Sequence, residues 1–188
     1  MTDSPSTEPP LREGDGLSLP LRVGELANRG GLRFHLLPST ESRQTLADEL
    51  DAVRIRKLEF RGRVVPEGRQ DWRLEGVLGA TVVQSCVITA EPVTTRIDET
   101  IVRRYLRDMP MPTEVEAEIP EDDSMESLGP VIDPGAVMAE ALALALPDYP
   151  RAPGAELPDS ARDGLTDERP NPFAVLAALK RADDTAED

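Results

Sequence analysis

Thiol and imidazole chemistry is considered first, because the sequence holds a single cysteine, Cys86, and a single histidine, His35. A cysteine beside a histidine can act as an activated nucleophile, so a thiol enzyme using Cys86 is one alternative. The other alternative is that Cys86 has a structural role, since free cysteine is among the most buried residue types. The two residues fall short of a tetrahedral zinc site, and no phosphate-binding glycine loop or catalytic serine motif occurs. We therefore expect no catalytic residue, no metal, no cofactor and no enzymatic activity.

A basic set of residues is the best candidate for binding. Clustered Lys and Arg contact the phosphates of nucleic acid. The alternative is an ordinary solvated face balanced by acidic residues such as Glu59 and Glu75, and stacking aromatics are nearly absent there. The candidate RNA-binding residues are Arg54, Arg56, Lys57, Arg61, Arg63, Arg73, Arg96, Arg103 and Arg104.

Three runs of alternating residues must position these side chains, at 53–65, 72–84 and 93–105. A two-residue period rich in Val and Thr is typical of half-buried strands. The alternation falls out of step near Arg56 and Lys57, which predicts a β-bulge. We expect these strands to form a meander whose second turn carries Cys86.

The other elements are shorter. Strands are predicted at 19–26, 32–36 and 113–119. Helices are predicted from capping signals, which lie at Ser39 or Thr40, at Asp133 with Pro134, and at Asn171 with Pro172. The predicted fold class is α+β, an antiparallel sheet built on a three-strand meander with two or three packed helices.

A family resemblance lies in the second predicted turn. The run VVQSCVITAEPV, followed by IDET, resembles the core signature of the YceD family, the large ribosomal RNA subunit accumulation proteins. The stretches GAVMAEALALALPDYPRAPGAEL, at 135–157, and NPFAVLAALK, at 171–180, fit the same family. Many members carry a second cysteine near the position of Thr89, and its absence here argues against a metal or redox role. The signature residues are Gln84, Cys86, Thr89, Pro92, Asn171, Pro172 and Phe173.

The charge is unevenly distributed along the 188 residues. Residues 1–107 hold 16 basic and 16 acidic residues, whereas residues 108–188 hold 5 basic and 20 acidic ones. The whole formal charge of −15 therefore belongs to the C-terminal part. Such a segment repels nucleic acid at long range and attracts a basic partner.

The resemblance implies a role in the accumulation or processing of large-subunit (23S) ribosomal RNA, and hence in ribosome biogenesis. Combined with the charge distribution, it suggests that the arginine-bearing sheet contacts precursor RNA while the acidic part holds a basic large-subunit ribosomal protein. The alternative is an acidic chaperone that binds a basic ribosomal protein and makes no RNA contact.

One domain is expected at 18–182, with an acidic insert at 108–133 and a mobile loop at 149–170. Residues 1–17 are expected to be a disordered lead-in and residues 183–188 an acidic tail. The polar, proline-rich start does not look like a secretory signal, and no apolar run is long enough to span a membrane. We therefore expect a soluble, cytoplasmic protein.

Overall fold

A computed structural model of the chain describes residues 11–108 and 125–156. The chain divides into two compact units, Met1–Ala152 and Pro153–Asp188, and every element described below lies in the first. The predicted strand at 113–119, the predicted helix that starts at Asn171 and the predicted tail at 183–188 lie outside the described residues.

The described ranges contain eight strands and three helices. The strands are β1 (Leu11–Gly14), β2 (Leu21–Arg22), β3 (Leu32–Leu36), β4 (Arg54–Glu67), β5 (Asp71–Ser85), β6 (Pro92–Leu106), β7 (Met125–Ser127) and β8 (Val131–Ile132). The helices are α1 (Val23–Arg29), α2 (Thr40–Glu49) and α3 (Pro134–Ala145).

Six strands form one mixed sheet in the order β1-β3-β4-β5-β6-β7, and β2 pairs with β8 in a separate two-stranded sheet. The pairs β1–β3 and β6–β7 at the two edges are parallel, and the inner pairs are antiparallel. The predicted antiparallel sheet built on a three-strand meander is therefore wrong as the fold class. The two edge strands have only 4 and 3 residues, too few to show alternation, and parallel pairing depends on how the chain crosses over.

The inner strands β4, β5 and β6 lie where strands were predicted, at 53–65, 72–84 and 93–105. The predicted bulge is confirmed, since the register between β4 and β5 shifts between Ile55 and Lys57. Gly68, with φ 64°, supplies the left-handed residue in the turn between β4 and β5.

The core lies on one face of the sheet, beneath α2 and α3. The rings of Phe34 and Phe60 pack with centroids 5.0 Å apart. Directly between strands, Gly62 faces Gly76, and a Cβ on Gly62 would collide with the backbone of β5. Apart from Trp72 and Tyr105, the rest of the core is mostly aliphatic; among its fully buried members are Leu36, Leu46, Leu74, Leu78, Met138 and Leu142.

Three smaller predictions need correction. The strand predicted at 19–26 is only the two-residue β2 followed by α1, because Val23 and Leu26 lie three apart on one helical face and Gly30, with φ 66°, ends the helix. The lead-in predicted at 1–17 contains β1, which pairs with β3. The end of the predicted acidic insert at 108–133 forms β7 and β8.

The start of α3 fixes the N-terminal segment to the core. Asp133 caps the helix as predicted, with Oδ1 accepting from the backbone N–H of Gly135 at 2.8 Å. The same oxygen accepts from Leu19 N–H at 2.7 Å, and Oδ2 accepts from Ser18 Oγ at 2.5 Å. One carboxylate therefore joins residues more than 100 positions apart and sets α3 over the sheet.

Candidate nucleic-acid interface

Most charged side chains of β4, β5 and β6 lie on the face of the sheet opposite the core. In β4, Leu58 and Phe60 are buried, whereas Lys57, Arg61 and Arg63 are exposed. This separation follows from the pleat, which directs successive side chains to opposite faces. The register with β5 and β6 then decides which charges meet.

Three of the candidate arginines form ion pairs with nearby carboxylates on this face. Glu75 forms an ion pair with Arg63, which lies opposite it on β4, and a second with Arg73 Nη2 at 3.6 Å. Arg96 Nε donates to Asp98 Oδ2 at 2.7 Å. This hydrogen bond raises the pKa of Arg96 and lowers that of Asp98, because it favours both charged forms.

Glu59 is shared between two partners on the same face. Its Oε1 lies 3.0 Å from His35 Nε2 and 3.9 Å from Arg61 Nη1. The Arg61 side chain is 69 % exposed, so this long ion pair restrains it weakly. The histidine therefore has a carboxylate partner on the open face of the sheet.

Arg103 and Arg104 are structural in their contacts. Arg103 donates to Glu126 at 3.2 Å and to Glu140 at 2.6 Å, and its side chain is only 15 % exposed. Arg104 Nε donates to Glu67 at 3.0 Å. Arg103 thus joins β6 to β7 and α3, and its charge is paired with two carboxylates of the acidic C-terminal part of the chain.

The remaining candidates, Arg54, Arg56 and Lys57, form what we call the basic trio. All three are exposed, and none has an ion pair within the described part of the chain. The bulge explains their arrangement, because the extra residue between Ile55 and Lys57 lets two successive side chains, Arg56 and Lys57, both face solvent. The sequence predicted this bulge. Only the structure reveals that these three cations have no ion-pair partners in the described part of the chain.

An open cavity of about 710 Å³ lies on the same face, over β1 and the strands from β3 to β6. Its lining includes Leu11, Val77 and Val102, which are 52 %, 44 % and 42 % exposed, together with Arg61 and Arg63. Apolar side chains flanked by arginines can contact ribose and base faces while the cations meet phosphate. Leu11 was missed in the sequence because it falls in the predicted lead-in.

Cys86 lies buried in the turn between β5 and β6. Its Sγ accepts from the backbone N–H groups of Ala152 at 3.3 Å, Ile88 at 3.4 Å and Thr89 at 3.5 Å. Hydrogen bonds from Ala152 N–H, from the Thr89 hydroxyl and from the amides of Thr89 and Ile88 lower the thiol pKa from 9.0 to about 7. Since His35 pairs with Glu59 on the sheet, the geometry gives no support to a Cys86–His35 nucleophile.

The other signature residues within the described ranges build this turn. Gln84 Nε2 donates to the carbonyl of Pro147 at 3.2 Å, and Thr89 Oγ1 lies 3.3 Å from a Glu91 oxygen. Pro92 begins β6 opposite Ser85, where the ladder ends and its missing N–H costs little. The Gln84 bond holds the segment after α3 against the turn. Asn171, Pro172 and Phe173 lie outside the described residues.

No three or more His, Cys, Asp or Glu residues in 11–108 and 125–156 lie together as a metal-binding group. Over the same ranges, every helix is too short or too polar to cross a membrane.

Comparison with known proteins identifies a family. A family model described as "Large ribosomal RNA subunit accumulation protein YceD" matches residues 74–180, which confirms the resemblance found in the sequence. No curated protein and no solved structure matches the chain.

The Cys86 thiolate should make stability depend on pH. Its pKa of about 7 lies below the ordinary 9.0, so the stabilisation is present above pH 9 and is lost as the pH falls through 7. We expect the melting temperature of the wild type, relative to that of Cys86→Ala, to rise between pH 6 and pH 9. Thermal unfolding at both pH values measures this difference, and a constant difference would contradict the lowered pKa of Cys86.

Arg103 should contribute more to the stability of the fold than the exposed Arg61 does. Arg103→Gln leaves Glu126 and Glu140 without their shared cation, and we expect it to lower the free energy of unfolding by about 2 kcal/mol. Arg61→Gln, at an exposed and weakly paired site, should change it by less than about 0.5 kcal/mol. Urea unfolding of both variants tests this, and equal losses would refute a structural role specific to Arg103.

Proposed function

The chain belongs to the large ribosomal RNA subunit accumulation protein YceD family, and we propose that it acts as a non-enzymatic ribosome-biogenesis factor in the cytoplasm. Its role is to support the accumulation or processing of large-subunit (23S) ribosomal RNA. The single observation that carries this proposal is the family match over residues 74–180, which includes most of β5, all of β6 and α3.

For the RNA contact, we propose the basic trio and the open sheet face beside it. Arg54, Arg56 and Lys57 are exposed cations without carboxylate partners in the described ranges, so their charge is available for phosphate. The paired arginines of β5 and β6 contribute less, because a phosphate must compete with a carboxylate already in contact. Binding of this kind reads backbone shape more than sequence.

The role in the cell is tested by deleting the gene and separating ribosomal subunits on sucrose gradients. We expect the amount of large subunits to fall relative to small subunits and to recover when the wild-type chain is supplied. An unchanged ratio after deletion would contradict the proposed function, whatever the protein binds in vitro.

The RNA contact is tested with Arg54→Gln, Arg56→Gln and Lys57→Gln combined. Each phosphate contact contributes about 0.7 to 0.9 to the slope of log K against log salt, so the triple variant should reduce that slope by about 2 to 3. Filter binding of a precursor large-subunit transcript over a range of salt concentrations measures it.

The matched control combines Arg12→Gln, Arg22→Gln and Arg151→Gln, which removes the same charge at exposed positions elsewhere. We expect the control to retain the wild-type slope within about 1. Equal reductions in both triple variants would show diffuse attraction in place of a contact at the basic trio.

A second candidate function is favoured by the charge of −15, which lies entirely in residues 108–188. Such a protein can act as an acidic chaperone that binds a basic large-subunit ribosomal protein and makes no RNA contact. A pulldown of such a protein that is salt-sensitive and survives nuclease treatment would favour this alternative over direct RNA binding.

A further inference from the structure

A second cavity, distinct from the arginine-bearing face, lies where α2 and α3 end beside β5. Its volume is about 400 Å³, and its lining includes Leu50 and Leu146, which are the C-cap residues of α2 and α3. The C-terminal end of a helix carries partial negative charge on its last carbonyls. Neither helix has a basic residue in its last turn to offset that charge. Two uncompensated helix ends therefore meet at one cavity.

Gln84 lines this cavity, and its side-chain oxygen is a buried acceptor. Its side chain is only 9 % exposed, and Nε2 donates to the Pro147 carbonyl, which can only accept. That bond fixes the orientation of the carboxamide and leaves Oε1 without a hydrogen-bond partner in the described part of the chain. A buried acceptor left unpaired is destabilising, and a donor from a ligand can relieve that penalty.

The charged residues that line the cavity are both acidic. Asp51 and Asp148 are exposed, and no Lys or Arg occurs among the described lining residues. Arg54 lies three residues after Asp51 but does not line the cavity. Val87 and Pro150 add apolar wall. Acceptors, carboxylates and helix ends thus all favour a cationic donor, with apolar surface for a hydrocarbon stem.

We propose that this cavity, the Gln84 pocket, receives the guanidinium group of an arginine side chain from a basic protein partner. The methylenes of the arginine lie along Leu146 and Val87, and its N–H groups donate to Gln84 Oε1 and to the carboxylates of Asp51 and Asp148. A guanidinium suits this set because it presents five donors in a plane and sheds water more readily than an ammonium. RNA is disfavoured because its phosphates would face two carboxylates.

The pocket extends the second candidate function and does not depend on the RNA contact, since its test contains no nucleic acid. We would titrate the full-length protein with Nα-acetyl-arginine N-methylamide and follow the NMR signals of the Gln84 side-chain amide and of the Ser85 and Val87 backbone amides. We expect saturable shifts, with binding at least about tenfold weaker for the citrulline analogue, which is uncharged and nearly isosteric.

Two double variants localise the binding. Asp51→Asn with Asp148→Asn should weaken arginine binding by about tenfold, and Asn keeps the left-handed backbone at position 51, where φ is 51°. Glu13→Gln with Glu99→Gln removes the same charge at exposed positions away from the pocket and should leave the affinity unchanged. Absence of saturable shifts, equal affinity for citrulline, or equal losses in both double variants would overturn the proposal.

Discussion

Each of the three inner strands is 14 or 15 residues long. Along each strand every second side chain must be buried, while the alternate side chains stay exposed to water. A one-residue slip would carry Arg63 and Glu75 into the core and expose Leu74, so the register is strongly fixed. The only irregularity in the long β4–β5 ladder is the bulge between Ile55 and Lys57. The position of every charged group on the open face follows from this constraint.

That fixed register largely neutralises the open face. Glu75 lies opposite Arg63 and two residues after Arg73, and Arg96 lies two residues before Asp98, so each arginine is placed beside a carboxylate. Such exposed pairs stabilise the fold little, but they occupy charges that a phosphate would otherwise meet. Free cationic charge is left where the bulge interrupts the alternation, and free acceptors are left where two helices end near Gln84.

Local signals in the sequence predicted the local features. Alternation located β4 to β6 and the bulge, and the capping residues Ser39 and Asp133 located the starts of α2 and α3. What the sequence could not supply were contacts between distant positions. Arg103 meets Glu140 across 37 residues, and Gln84 meets Pro147 across 63, so neither the loss of a candidate RNA contact nor the orphan oxygen was visible beforehand. The parallel pairing of the two edge strands was not predicted for the same reason.

The proposed RNA contact lies where the cations of the sheet have no carboxylate partner in the described ranges. Photochemical crosslinking of a precursor large-subunit transcript to the purified full-length protein, with the crosslinked peptides mapped by mass spectrometry, tests it most directly. We expect crosslinks in the segment 54–57 and on the neighbouring open face around Val77. Crosslinks confined to α3 and the Gln84 pocket, with none at 54–57, would contradict it.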